Sequence, residues 1–386
     1  MPKKSRVPKK ELLSSYASGI PSDFELTQEF STAFELMEHT GKHLYITGNA
    51  GTGKSTLLHY FKKHTRKEVV ILAPTGIAAV NIGGATIHSF FRFPTRFITL
   101  DDIKKIRGKA DMFAALQTLI IDEASMVRAD MMDAIDASLR LNRNRPYEPF
   151  GGVQLVLIGD LFQLPPVIER ELEEYFADNY MTPYFFSAKV FSEIRLHKIE
   201  LQRVFRQSNP DFIRLLNKVR NNELEMSDLK IINQRFQPSL KLSSQDLAIT
   251  LTSTNARASA INLQRLSELP TEEYIFDAVI NGDFDDKSHP TDKRLRLREG
   301  AQIMMVKNDP NKRWVNGSLG VVQQLSHDTI KVSFGTAVHT IEPTNWEKSI
   351  YDYDRVHRSL ESVVIGSFRQ YPIKLAWAIT IHKSQG

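Results

Sequence analysis

The stretch "HLYITGNAGTGKST", residues 43–56, decides the fold. An apolar run ends in a glycine-rich loop, and the loop opens into "KSTLLHYFKKHT", whose apolar residues recur at helical spacing. Strand, loop and helix in that order are the context in which G-x-x-x-x-G-K-[ST] works as a phosphate loop. Gly48, Gly51 and Gly53 let the backbone curl until its N–H groups face phosphate oxygens, and the helix N-terminus adds its positive dipole end. Lys54 is expected to reach the β- and γ-phosphates and Ser55 to place a hydroxyl on Mg²⁺, with Thr52 and Thr56 completing the nucleotide contacts.

Three more runs repeat the first strand's texture: "EVVILAPTG" (68–76), "TLIIDEAS" (118–125) and "VQLVLIGD" (153–160). Their apolar residues are continuous rather than alternating, the mark of strands buried on both faces of a helix-covered parallel sheet, so the class is α/β. Each signature falls where a strand ends, at the carboxyl edge where open α/β sheets bind ligands. In "LIIDEAS", Asp122 is expected to hold Mg²⁺ through its water shell and Glu123 to orient and deprotonate the attacking water. An adjacent Asp-Glu pair can also simply open a loop; beside a phosphate loop, hydrolysis is the better reading. In "LVLIGDLFQLPPV" (155–167), Gln163 is expected beside the γ-phosphate, where an amide can sense whether that phosphate is present. No guanine-specific signature is evident. Gln28 in "FELTQEF" could pair with both hydrogen-bonding edges of adenine, although a surface glutamine would look the same.

The chain has 386 residues, room for about two to three domains at about 150 residues each. With 41% hydrophobic and 25% charged residues it can bury ordinary cores. A net charge of +5 permits a polyanionic partner without demanding one. The absence of cysteine rules out disulfides and argues against zinc-ribbon or iron–sulfur chemistry. No apolar run approaches the ~18 residues of a membrane span. Residues 1–20, beginning "MPKKSRVPKK", read as a flexible basic tail.

Region 91–115 interrupts the strand–helix rhythm as a small insertion. From 196 a second α/β segment is expected, with "DFIRLLNKVRNNELEMSDLKIINQRF" helical and "DLAITLTSTN" a strand. From about 302 short strands and turns take over, with Asn316-Gly317 a hairpin signal, so 302–367 reads as a small β-barrel-like insertion. Arg206 in "LQRVFRQ" sits where an arginine donated across a domain cleft would stabilise transition-state charge; a surface ion pair is the alternative. "APTGIAAVNIGGATIHSFF" (73–91) and "LAWAITIHKSQG" (375–386) end strands with hydroxyl and imidazole clusters able to hold the phosphates of a nucleic-acid strand.

In order, "GNAGTGKST", "APTGIAA", "GGATIHSFF", "IIDEASMV", "GDLFQLPPV", "FRQ", "LTSTN", "WVNGSLGVV" and "AWAITIHKSQG" resemble the Pif-type (petite integration frequency) DNA helicases of superfamily 1B, close to the RecD-type helicases. The resemblance spans about residues 22–386. It implies two RecA-like P-loop domains, the first at 21–195 and the second at 196–301 and 368–386. A wedge insertion at 91–115 and an SH3-like insertion at 302–367 would complete them. It implies ATP with Mg²⁺, and 5′-to-3′ movement of a monomer on single-stranded DNA and its junctions with duplex, in repair, recombination and telomere maintenance. On matching positions, Lys54, Ser55, Asp122 and Glu123 become the ATP and magnesium residues, Gln28 the adenine contact, Gln163 the γ-phosphate sensor and Arg206 an arginine finger. Gly386 joins the nucleotide set. Thr75, Thr86, His88, Phe90, Thr254, Asn255, Thr380, His382 and Lys383 become the DNA path, with Phe90 in "FFRFP" as an aromatic platform or an ordinary core residue. The family continues past the last motif to a second arginine finger, so this chain is expected to be the helicase without its C-terminal end, hydrolysing weakly. Two other readings stay open: a RecD-type subunit of a recombination complex, and a P-loop ATPase that clamps protein without moving on nucleic acid.

Overall fold

The computed structural model describes residues 27–49, 51–94, 97–203, 209–239, 246–311 and 313–381. The chain divides into two compact units. One takes in the chain up to Val204 with Asn281–His289 and Trp346–Ser367, and the other takes in Phe205–Ile280, Pro290–Asn345 and the residues from Phe368. Among the described residues no helix is long and apolar enough to cross a membrane.

The first unit is built on a six-stranded parallel sheet. Its strands are β1 (His43–Gly48), β2 (Val69–Ala73), β3 (Ala85–Thr86), β4 (Thr118–Ile121), β5 (Gln154–Ile158) and β6 (Leu196–Leu201), in the order β3-β2-β4-β5-β1-β6. The apolar runs are continuous because both faces are covered. On one face Leu44, Ile46, Ile71, Ile120, Val156 and Ile158 pack with Phe30, Ala33 and Met37 of α1 (Gln28–His39) and Leu57, Leu58 and Phe61 of α2 (Lys54–His64). On the other, Tyr45, Val70, Leu72, Leu119, Ile121, Leu155 and Leu157 meet Met132, Ile135 and Leu139 of the long helix Ala129–Arg143. Emptying one such site, as in Phe61→Ala, costs about 3–5 kcal/mol.

Two expected boundaries are corrected. The segment from 196 does not open a second domain: β6 pairs in parallel with β1 from His43↔Leu196 to Gly48↔Leu201 and closes the first sheet as its edge. Region 302–367 does not form one body either, since 346–367 belongs to the first unit. The reason lies in the shortness of β3, which pairs only with Leu72 and Ala73. Ile71 lies beyond the reach of β3, and its N–H is taken by the Tyr351 hydroxyl at 3.0 Å. Nearby, the Leu360 N–H donates to the Glu68 carboxylate at 2.7 Å, and Lys109 bonds the Tyr351 carbonyl and the Asp352 carboxylate. The 91–115 stretch is folded into the same core through Phe91, Phe93, Ile98, Ile106, Met112 and Phe113.

In the second unit, helices Pro210–Asn221 and Met226–Asn233 occupy the stretch read as helical. A short parallel pair joins Thr250–Thr252 to Ala378–Thr380 beside helix Asn255–Ser267. An antiparallel five-stranded sheet contains Gln302–Met305, Leu319–Leu325, Ile330–Phe334, Ala337–Ile341 and Ile373–Leu375. Its core includes Leu295, Leu297, Ile303, Met305, Val322, Ile330 and Val332.

Candidate active site

The loop after β1 has the conformations its glycines were read for. Gly51 and Gly53 have φ of 81° and 88°, in the left-handed region open to glycine, and Gly53 starts α2. Gly48 is required for another reason: a Cβ there would stand 2.5 Å from the Leu201 carbonyl oxygen and 2.6 Å from the Thr52 hydroxyl. The buried Thr52 hydroxyl donates to the Asn49 carbonyl at 2.9 Å, bracing the loop. Lys54 lies over it, its ammonium donating to the carbonyls of Gly48 (2.7 Å) and Asn49 (3.1 Å). Ser55, exposed, and Thr56, half-buried, occupy the first turn of α2.

Because β4, β5 and β1 are neighbours in the sheet, their carboxyl ends bring three motifs side by side. Asp122 follows β4 and is buried. Burial, then the Glu123 charge, push its carboxyl up to about 7, against the Glu123 backbone hydrogen bond and the Lys54 charge. Glu123 is pushed up by burial and by Asp160, with Lys54 again opposing. A carboxylate with raised proton affinity beside a cation suits a general base. Glu123 also has φ 53°, a left-handed backbone uncommon for a side chain of its size, and strain of this kind gathers at functional sites. The hydroxyl of Ser55 and the carboxylate of Asp122 are hard oxygen donors of the kind magnesium takes, and a cation would favour the ionised form that burial disfavours.

After β5, Asp160 builds a tight turn from its own groups. Its carboxylate accepts the Phe162 N–H at 3.1 Å and its carbonyl accepts the Gln163 N–H at 3.0 Å. This turn presents the half-buried Gln163 at the strand end beside β1. Gln28, exposed, opens α1, whose Phe34 packs edge-on to Phe61 of α2 with ring centroids 5.8 Å apart. Arg206, His382, Lys383 and Gly386 lie outside the described residues.

The other expected strand-path residues fall into two kinds. Thr75, Thr86 and Thr254 are helix N-caps, their hydroxyls accepting from the N–H of Ala78 (3.3 Å), Ser89 (3.2 Å) and Arg257 (3.3 Å). A capping hydroxyl still carries a proton to donate to a phosphate oxygen. Asn255, exposed, opens the helix that Thr254 caps. His88 is half-buried; burial, then Arg128, push its imidazole down, against Asp130. Phe90 is corrected: at 8% exposed it is core, edge-on to Phe91, Phe113 and Tyr351, and offers no platform to a base. Thr380, 4% exposed, is likewise buried, so its hydroxyl is not presented at the surface.

Asp160 is absent from the candidates drawn from sequence. The signal was there: "IGD" ends β5 in an acid just as "IID" ends β4. Ser125 was missed as well, and nothing local marks it.

The pattern of the PIF1-like helicase family matches residues 25–230, and that of the 2B domain of DNA helicase Pif1 matches residues 286–325. The chain is 32% identical over 382 residues to the ATP-dependent DNA helicase PIF1 of Xenopus laevis, covering 95% of this chain and 56% of that protein. It spans about half the length of the curated vertebrate relatives it matches. It is similar to the crystal structure of a Bacteroides Pif1 in complex with ADP-AlF4, at a TM-score of 0.88 and 38% identity, covering 94% of this chain and 84% of that one. It is also similar to a Bacteroides Pif1 bound to ssDNA, at a TM-score of 0.62, 38% identity and the same coverage.

Proposed function

The chain belongs to the PIF1-like helicase family, and from that premise we propose that it is an ATP-dependent helicase that moves 5′-to-3′ on single-stranded DNA. The observation that carries this reading is the meeting, at three adjacent strand ends, of the 48–53 loop, the Asp122–Glu123 pair and the Asp160–Gln163 turn. The loop's N–H groups and Lys54 bind and orient the phosphates. Ser55 and Asp122 would hold magnesium, whose charge offsets that of the phosphates. Glu123 accepts a proton from the attacking water as it approaches the γ-phosphate. Gln163 bonds the γ-phosphate and shifts with its presence.

Arg206 as an arginine finger, and Gly386, His382 and Lys383 as ligand contacts, remain part of the proposal. So does the wedge assignment of 91–115. Thr75, Thr86 and Thr254 would grip the DNA backbone, and phosphate contacts carry no sequence information, so binding should be general and salt-sensitive. Opening one base-pair step works against about 1.4 kcal/mol of stacking, a modest load for a motor that advances one nucleotide per ATP.

The test pairs two measurements on this chain: affinity for a fluorescent single-stranded oligonucleotide with and without AMP-PNP, and ATP turnover with and without that oligonucleotide. The expected result is a preference for single strands over duplex, an affinity that changes with nucleotide, and DNA-stimulated turnover. Equal affinity for both strand states, unaffected by nucleotide, would overturn the motor and favour a protein clamp.

A further inference from the structure

Ser125 is 1% exposed, and its hydroxyl has no hydrogen-bond partner among the described residues. A buried polar group left unpaired costs about 1–3 kcal/mol, and native proteins keep few of them. The place of this one is informative. It lies in the turn of 3₁₀ helix Ala124–Met126, directly after the strained Glu123. That turn is pressed against Gly159: a Cβ at 159 would stand 3.0 Å from the Ala124 nitrogen and 3.2 Å from the Ser125 nitrogen. Gly159 leads straight into the Asp160–Gln163 turn, held by the two hydrogen bonds from Asp160. The segment proposed to carry the water-activating carboxylate and the segment proposed to carry the phosphate-sensing amide are therefore in backbone contact, and Ser125, whose backbone nitrogen lies at that contact, carries the unused hydroxyl.

We propose that Ser125 is a positioning residue that couples the two segments: its hydroxyl bonds an acceptor of the 159–163 turn when a third phosphate engages Gln163, and is unpaired otherwise. The turn offers the Gly159 carbonyl, the Asp160 carboxylate and the Gln163 amide oxygen as acceptors. Nucleotide with a third phosphate then gains one hydrogen bond that nucleotide with two does not, and Glu123, two residues away, is set in step with Gln163. The inference rests on the nucleotide site proposed above.

A serine that only fills space predicts something different. Ser125→Ala would then relieve an unpaired hydroxyl and treat every nucleotide alike. The coupling role is read by calorimetric titration of ADP and of AMP-PNP, each with magnesium, into wild type, Ser125→Ala, Gln163→Ala and the double variant. Ser125→Ala should bind ADP as wild type does and AMP-PNP about three- to tenfold more weakly, the loss of one hydrogen bond. In the Gln163→Ala background the same change should have no further effect on AMP-PNP. Unfolding temperatures confirm that each variant is folded. Ser125→Ala weakening both nucleotides equally, weakening neither, or acting additively with Gln163→Ala overturns the coupling and leaves the nucleotide site standing. A wild-type chain that binds neither nucleotide overturns the site, and the coupling with it.

Discussion

The Tyr351 hydroxyl accepts the Ile71 N–H at 3.0 Å, tying two positions 280 residues apart in sequence. Both residues are buried, so Tyr351→Phe strands an amide in an apolar setting while keeping the ring. The variant should lose about 1–3 kcal/mol of stability, read from the midpoint of urea unfolding at unchanged slope. A midpoint equal to wild type would mean that water reaches Ile71 and that the bond holds nothing together.

Lys54→Ala removes the ammonium proposed to meet phosphate. Charge-assisted hydrogen bonds contribute about 1.5–3 kcal/mol, so nucleotide affinity should fall about ten- to a hundredfold. Oligonucleotide affinity without nucleotide should stay as it was. Loss of both together would point to a collapsed loop, because the same ammonium also bonds Gly48 and Asn49.

Gln163→Ala should leave ATP and oligonucleotide bound but lower DNA-stimulated turnover about tenfold or more, the scale of one polar contact to a charged phosphate. Turnover with and without DNA measures this directly. Undiminished stimulation would remove the sensor role from Gln163.

Lys62 gives a pH dependence with a definite sign. It donates to the Gly83 carbonyl, and burial lowers its ammonium from its ordinary 10.5 to about 8. Between these values the folded chain holds fewer protons at this site than the unfolded one, so the site's contribution to stability rises with pH from about 8 to 10.5 and is flat below. Urea unfolding at several pH values should show that rise in wild type relative to Lys62→Met. Parallel curves for the two proteins would refute it.

What could be read from the sequence was local. Gly48, Gly51, Gly53, Lys54 and Ser55 lie within eight residues, and strand, loop and helix follow one another without tertiary help. Asp122 and Glu123 stand out in the sequence because two acids at the end of a buried run gain nothing from packing. Phe90 was not, because an aromatic run can face a core or a ligand, and only the packing of Phe113 and Tyr351 decides. "LHKIEL" mixes apolar and polar residues, and nothing in them says which sheet the strand edges. Ser125 escaped for a third reason: the role proposed for it comes from β4 and β5 lying side by side, a register that neither segment records alone.

Leu201 pressing on Gly48 ties the loop proposed to seat the phosphates to the last residue of β6, where the chain takes leave of its first sheet. A larger side chain at 48 would therefore be a defect in two places, spoiling the cradle and forcing the departing polypeptide onto another course.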